Sequence, residues 1–329
     1  MKVGYDVSPL ELDNAGTARY VRGVLSELDN REDVEVQELR FGGSGRATAA
    51  VRDALWYPLL LPLGARGLDV LHCTTFRAPL RSRAPVVVTV HDLAAIRFPE
   101  LFTAWTRLYA RTLLPAVLRA ATRVLAVSEF TKRDVVELAR VPEERIDVAL
   151  NAADTAVFRP DGPVAEGDYV LAVGTLEPRK NLPRLIEATG RLGLALRIAG
   201  ARGWGRVEPE APHVTWVGRP DDDELAALMR GALCLGYPSL WEGFGIPVLE
   251  AMLCGTPVVT SAGSAMEEVA GGAAAELVDP HDVASIAAGI ERALGRRDEL
   301  RAAGLARARD FSWAATADAV VASYGRACS

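Results

Sequence analysis

Residues 232–250 read Ala-Leu-Cys-Leu-Gly-Tyr-Pro-Ser-Leu-Trp-Glu-Gly-Phe-Gly-Ile-Pro-Val-Leu-Glu. The first six form an apolar run of strand length, ending at Tyr237. Pro247 suits the start of a helix, where a missing N–H costs nothing. The stretch predicts a buried strand, a turn and a helix. Gly243 and Gly245 let the turn's backbone come close to a ligand. The exposed N–H groups and positive end of the following helix make a natural anion site. Glu242 and Glu250 cannot ligate that anion, because like charges repel. Set up to ~12 Å apart along the helix axis, they are better placed to accept hydrogen bonds from hydroxyls. An anion flanked by two hydroxyl-bearing groups has the chemistry of a sugar–diphosphate–ribose.

Strand-length apolar runs alternate with helix-length amphipathic segments along the rest of the chain. Strands are expected at 3–7, 34–39, 69–73, 86–90, 124–127 and 146–150, then at 169–173, 196–199, 214–217, 233–237, 258–260 and 276–278. Continuous Val, Ile and Leu runs separated by helices argue for parallel sheets covered on both faces. Two such blocks predict an α/β protein of two doubly wound, Rossmann-like domains facing a cleft. The expected domains are 1–160 and 161–310, joined where Pro160, Gly162, Pro163 and Gly167 interrupt all periodicity between 154 and 168. A final amphipathic helix is expected over 311–327.

Half of the 329 residues are apolar, enough for two ordinary cores. No run of eighteen apolar residues occurs and the chain enters a strand at once, so neither a signal peptide nor a membrane span is expected. The cysteines 73, 234, 254 and 328 have no metal-like spacing and read as free thiols in a reducing cytoplasm. Net charge is −6, yet residues 46–123 hold 11 arginines against four acids. That local excess could face anionic lipid at the inner face of a membrane, an anionic acceptor, or solvent alone. The segment 102–123 shows both sides of the choice: a basic amphipathic helix can lie on a membrane, but a core-packed helix with a solvated arginine face is commoner. Pro115 is expected to break it in two. No aromatic-basic pattern points to nucleic acid.

Other constellations follow predicted strands. In Gly174-Thr-Leu-Glu-Pro-Arg-Lys-Asn181, Arg179 and Lys180 can clamp a diphosphate, one by its fork and one as a point charge. The chain has only three lysines, so composition rarely puts one there; the competing reading is a basic surface pair at a helix start. His91, beside Asp92 at a strand end, could donate to a sugar hydroxyl or lie near an acceptor, unless local backbone satisfies it. Gly16, in Asn14-Ala-Gly-Thr17, opens a helix N-terminus to an anion or makes an ordinary turn. Gly43-Ser-Gly-Arg-Ala-Thr48 lacks the third glycine of a dinucleotide fingerprint, which counts against an NAD enzyme. Asp221-Asp-Asp223 contains a metal-type D-x-D but leads straight into a helix, so a capped start explains it better.

Taken together, these residues resemble the retaining family 4 glycosyltransferases of GT-B fold. The likeness rests on the E-x7-E of Glu242 and Glu250, the 174–181 stretch, Val127-Ser-Glu-Phe-Thr-Lys132, Asn151-Ala-Ala-Asp154 and Gly255-Thr-Pro-Val-Val. It implies transfer of a hexose, mannose-like, from a GDP- or UDP-linked donor to a sugar, lipid-linked or small-molecule acceptor, without metal or cofactor. A non-catalytic nucleotide-sugar binding subunit would share the same motifs. The resemblance assigns ribose to Glu250, the transferred sugar to Glu242 and the diphosphate to Arg179, Lys180 and Gly16. It puts His91 by the sugar or acceptor and the backbone around Gly218 by the base, while Gly243, Phe244, Gly245, Ile246 and Leu249 complete the donor-binding set. Catalysis would fall to Glu242, His91, Lys180 and Arg179. The last helix would cross back onto the first domain. Many relatives carry arginine after the glycine of the phosphate motif; here it is Thr175, so the clamp relies on Arg179 and Lys180.

Overall fold

A computed structural model describes residues 1–11, 15–43, 45, 48, 51–203 and 210–329. Asn14, Arg46 and part of the Gly43–Thr48 loop lie outside the described residues. All twelve expected strands form, with ends shifted by a residue or two. In the first half they are β1 Lys2–Asp6, β2 Glu35–Leu39, β3 Val70–Cys73, β4 Val86–Val90, β5 Arg123–Ala126 and β6 Ile146–Val148. In the second half they are β7 Tyr169–Val173, β8 Ala195–Ala199, β9 Val214–Gly218, β10 Cys234–Tyr237, β11 Val258–Ser261 and β12 Glu276–Val278. They make two parallel six-stranded sheets, ordered β2-β1-β3-β4-β5-β6 and β12-β11-β10-β7-β8-β9.

Parallel pairing follows from burial on both faces. All five residues of β4 are buried. Val86, Val88 and Val90 pack on one side with Leu61, Leu114 and Leu118, while Val87 packs on the other with Tyr20, Val24 and Val320. No polar face is left for water, so both sides need helices.

The chain divides into two compact units, 1–152 with 311–329, and 153–310. The boundary falls earlier than the expected residue 160 for a local reason. Phe158 is buried, and Arg230 donates to the carbonyls of Pro163 and Arg159 at 2.7 and 3.1 Å, so the segment is tied into the second unit. The last helix, Trp313–Cys328, packs in the first unit. Gly23 makes room for it, since a Cβ there would stand 2.3 Å from the Trp313 ring.

Pro115 does not break its helix, which runs unbroken over Ala104–Ala120. The carbonyl it deprives of a partner belongs to Arg111, an exposed position that water can reach.

In each sheet the order reverses beside the first strand: β1 has β2 on one side and β3 on the other, and β7 has β8 and β10. The crevice beyond the carboxyl ends at such a reversal is where open α/β sheets bind ligands. In the second unit the loops leaving β7 and β10 carry Arg179, Lys180 and Glu242.

Candidate active site

Backbone geometry brings these three side chains together. Gly174, at the end of β7, has φ +138°, and a Cβ on it would sit 2.9 Å from Lys180 Cε. The glycine lets Lys180 fold back over its own turn. After the tight turn Pro178–Lys180, Asn181 takes the left-handed conformation at φ +59°. Its Nδ2 donates to the carbonyls of Pro238 and Pro280 at 3.0 and 2.6 Å, stitching the β7 loop to those after β10 and β12. Gly245 caps the helix Ile246–Leu253 at φ +99°, where a Cβ would press on Met266.

Glu242 is the hub. Its Oε1 accepts from Lys180 Nζ at 2.6 Å, Ser239 Oγ at 2.6 Å and Tyr237 OH at 3.0 Å. Its Oε2 accepts from Arg179 Nη1 at 2.6 Å. Lys180 also donates to the Tyr237 hydroxyl at 2.7 Å, and Arg179 pairs with buried Glu177 at 2.8 Å. Burial alone would raise the Glu242 pKa, but the charges of Arg179 and Lys180, helped by hydrogen bonds from Lys180 and Ser239, bring it down to about 2. Burial pulls Lys180 below the ordinary lysine range against the opposing pull of Glu242. Two cations and two carboxylates thus form one compensated cluster. The sequence treats Arg179-Lys180 and Glu242 as separate features; the fold joins them.

This arrangement keeps capacity for a ligand. An ammonium has three N–H donors, and Tyr237 and Glu242 account for two on Lys180. A carboxylate oxygen has two lone pairs, and Arg179 takes one on Oε2. The cluster can therefore offer a cationic donor to a phosphate oxygen and an anionic acceptor to a hydroxyl.

The remaining expected residues are spread more widely. Glu250 lies in the helix Ile246–Leu253 and is fully buried, while Phe244, Ile246 and Leu249 pack in the interior beside it and Gly243 is buried in the turn. Gly218 ends β9 at φ +75°, its carbonyl accepting from Gly200 N. Two residues belong to the first unit. Gly16 is in the first turn of the helix Ala15–Asp29, and among the described residues nothing lies within 4 Å of where a Cβ would be. Tyr20, one turn further along, stacks edge-on against His91 at 5.0 Å.

His91 Nε2 lies 2.9 Å from the Thr74 carbonyl. A carbonyl only accepts, so Nε2 carries the proton, and burial keeps the imidazole neutral by lowering its pKa. Local backbone thus satisfies one nitrogen, and the other can only accept. His91 would take a proton from a hydroxyl rather than donate to one. Asp221 is a cap: its carboxylate accepts from Glu224 N at 2.8 Å and Glu224 accepts back from Asp221 N.

Comparison with known proteins identifies the family and the fold. A family model for Glycosyltransferase Family 4 matches residues 15–157, and one for Glycosyl transferases group 1 matches 154–310. O-antigen chain mannosyltransferase B of Escherichia coli is 32% identical over an alignment covering 95% of this chain and 96% of that protein. The chain belongs to the family 4 glycosyltransferases. This glycosyltransferase is also 32% identical to D-inositol 3-phosphate glycosyltransferase of Mycolicibacterium smegmatis, over 76% of this chain and 63% of that one. Among solved structures it superposes on sucrose-phosphate synthase of Thermosynechococcus elongatus with TM-score 0.78 and 17% identity, covering 99% and 98% of the two chains. It matches Anabaena HepE, solved with UDP and glucose, with TM-score 0.74 and 18% identity over 98% of each chain. The fold is GT-B.

Sequence reasoning missed three members of this glycosyltransferase's cluster: Glu177, Tyr237 and Ser239. Each stands in a loop or strand end already singled out for its neighbours. A polar residue closing an otherwise apolar strand, as Tyr237 does, was the available signal.

Proposed function

We propose that this glycosyltransferase moves a hexose, mannose-like, from a GDP- or UDP-linked donor to an acceptor hydroxyl with retained anomeric configuration and without a metal. The observation that carries the reading is the Arg179–Lys180–Glu242 cluster at the strand-order reversal of the second sheet. Lys180 and Arg179 would hold the diphosphate and stabilise charge as it leaves. Glu242 Oε2 would accept from a hydroxyl of the transferred sugar. Glu250 would take the ribose, the backbone near Gly218 the base, and the helix start near Gly245 a phosphate oxygen. Gly16 and His91 would serve the diphosphate and the sugar or acceptor.

The proposed step breaks the anomeric C–O bond to the diphosphate and forms one to the acceptor oxygen on the same face. The leaving phosphate takes the acceptor's proton. No protein nucleophile is needed, and Glu242, held ionised by two cations, is unsuited to proton delivery. The relative named for O-antigen chain mannosyl transfer supports a saccharide acceptor, and the neighbour solved with UDP and glucose supports a nucleotide-sugar donor. A thermal-shift panel of GDP, UDP, ADP and dTDP sugars tests the donor; stabilisation by a GDP- or UDP-sugar is expected, and none by any sugar nucleotide would sink the reading. NMR of the product's anomeric proton tests retention.

A further inference from the structure

The first unit carries a surface of apolar and basic groups that the proposed donor site does not use. Nine of the thirteen exposed large apolar side chains among the described residues lie between Val51 and Leu113. The helix Arg52–Leu60 and its one-turn continuation Leu61–Gly64 bury Tyr57 and Leu61 in the core but turn other leucines outward. Arg52 is buried, and Asp53, half-buried beside it, pairs with Arg77 at 3.1 Å. Leu55, Leu59 and Leu63 are 46%, 55% and 48% exposed, one above another at four-residue spacing. Leu59, Pro62 and Leu63 share a surface groove with Arg66, Arg81 and Arg83.

A second helix continues the pattern. On Ala104–Ala120, Trp105 and Leu108 are 58% and 55% exposed beside exposed Arg107 and Arg111. Arg77 links the two helices, pairing with Asp53 on one and lying over the Tyr109 ring on the other at 5.7 Å. Acids are few in the segments that build this face. Of the four in residues 51–113, Asp53 is turned inward, Asp92 binds the Ala94 amide, and Asp69, which binds the Lys2 amide, and Glu100 are exposed.

We infer that this face binds the surface of an anionic phospholipid bilayer, with the leucines and Trp105 entering the acyl boundary and the arginines meeting lipid phosphates. Charge complementarity selects the occupant. Two copies meeting here would press arginine against arginine, whereas an anionic membrane satisfies both the apolar and the basic groups. An indole belongs at such a boundary, apolar in body and polar at its N–H.

Co-sedimentation with vesicles tests this. The full chain should pellet with phosphatidylcholine vesicles containing phosphatidylglycerol, stay in solution with pure phosphatidylcholine, and be released by salt. Arg81→Ala with Arg83→Ala should weaken partitioning about 25-fold, at roughly fivefold per arginine. Leu59→Glu with Leu63→Glu should weaken it by at least about 100-fold. Lipids brominated on their acyl chains should quench tryptophan fluorescence, less so in Trp105→Phe, a readout that does not depend on the leucine variants folding. Wild-type protein left in the supernatant with anionic vesicles would overturn the inference. So would a concentration-dependent dimer abolished by Leu59→Glu.

Discussion

Glu242 shows how one side chain's neighbours decide its chemistry. Four donors converge on its carboxylate and hold it ionised, which makes Glu242 a poor proton donor. Lys180→Ala should lower kcat by about two to three orders of magnitude, with the thermal midpoint little changed because Arg179, Ser239 and Tyr237 still satisfy Glu242. Wild-type turnover would remove Lys180 from the site. Glu242→Ala should also abolish transfer, but it strands two cations, and breaking a buried pair costs about 3–5 kcal/mol. Combining Lys180→Met with Glu242→Gln should recover stability without activity, which a melting series combined with turnover can check. Tyr237→Phe and Ser239→Ala position the carboxylate and should cost less, about tenfold in rate. The need for a cation after β7 and a carboxylate after β10 was legible from residue type and position. Their direct contact was not, because 62 residues separate Lys180 from Glu242.

Elements were read most reliably where period and burial agree. Each predicted strand appeared because a continuous apolar run has few alternatives once helices cover both faces of a sheet. The start of the helix Asp222–Gly231 was equally local, a matter of Asp221 and Glu224 three residues apart. Asp221→Ala should therefore cost about 1 kcal/mol of stability in chemical denaturation. It should leave transfer intact in the presence of chelator; a chelator-sensitive loss would revive the metal reading. Gly200 shows what local reading cannot see. A Cβ there would lie 1.9 Å from the Gly174 carbonyl oxygen, so Gly200→Ala should destabilise the second unit by about 3 kcal/mol or more and disturb Lys180 with it. The outward-facing leucines of the helix Arg52–Leu60 escaped prediction because Asp53 turns inward to Arg77, a partner set by tertiary placement.

At the scale of the molecule, the last helix belongs to the unit that the first residues build. A buried chain of hydrogen bonds secures it: Tyr324 to His72 Nδ1 at 2.6 Å, His72 Nε2 to Thr89 at 2.8 Å, and Thr89 to Tyr20 at 3.0 Å. Burial lowers the His72 pKa from 6.5 to about 3. At this residue the unfolded chain then binds more protons than the folded one between those values, so the His72 contribution to stability is full above about pH 6.5 and is lost as pH drops towards 3. Melting curves should show this slope, and His72→Gln should flatten it; an unchanged slope would exclude His72 as its source. Removing 311–329 should lower the melting transition of the first unit, because Val320 and Tyr324 leave its core.

By itself, the sequence determined the two parallel sheets, the turn chemistry at Gly245 and Asp221, and the presence of cations and carboxylates after β7 and β10. These are local consequences of side-chain period, backbone freedom and charge, effective within a few residues. Only the tertiary structure decided that Arg179, Lys180 and Glu242 share one compensated cluster, that His91 spends its N–H on the Thr74 carbonyl, and that leucines of the first unit face outward. Those depend on groups far apart in sequence meeting in space, where desolvation and pairing set protonation and orientation.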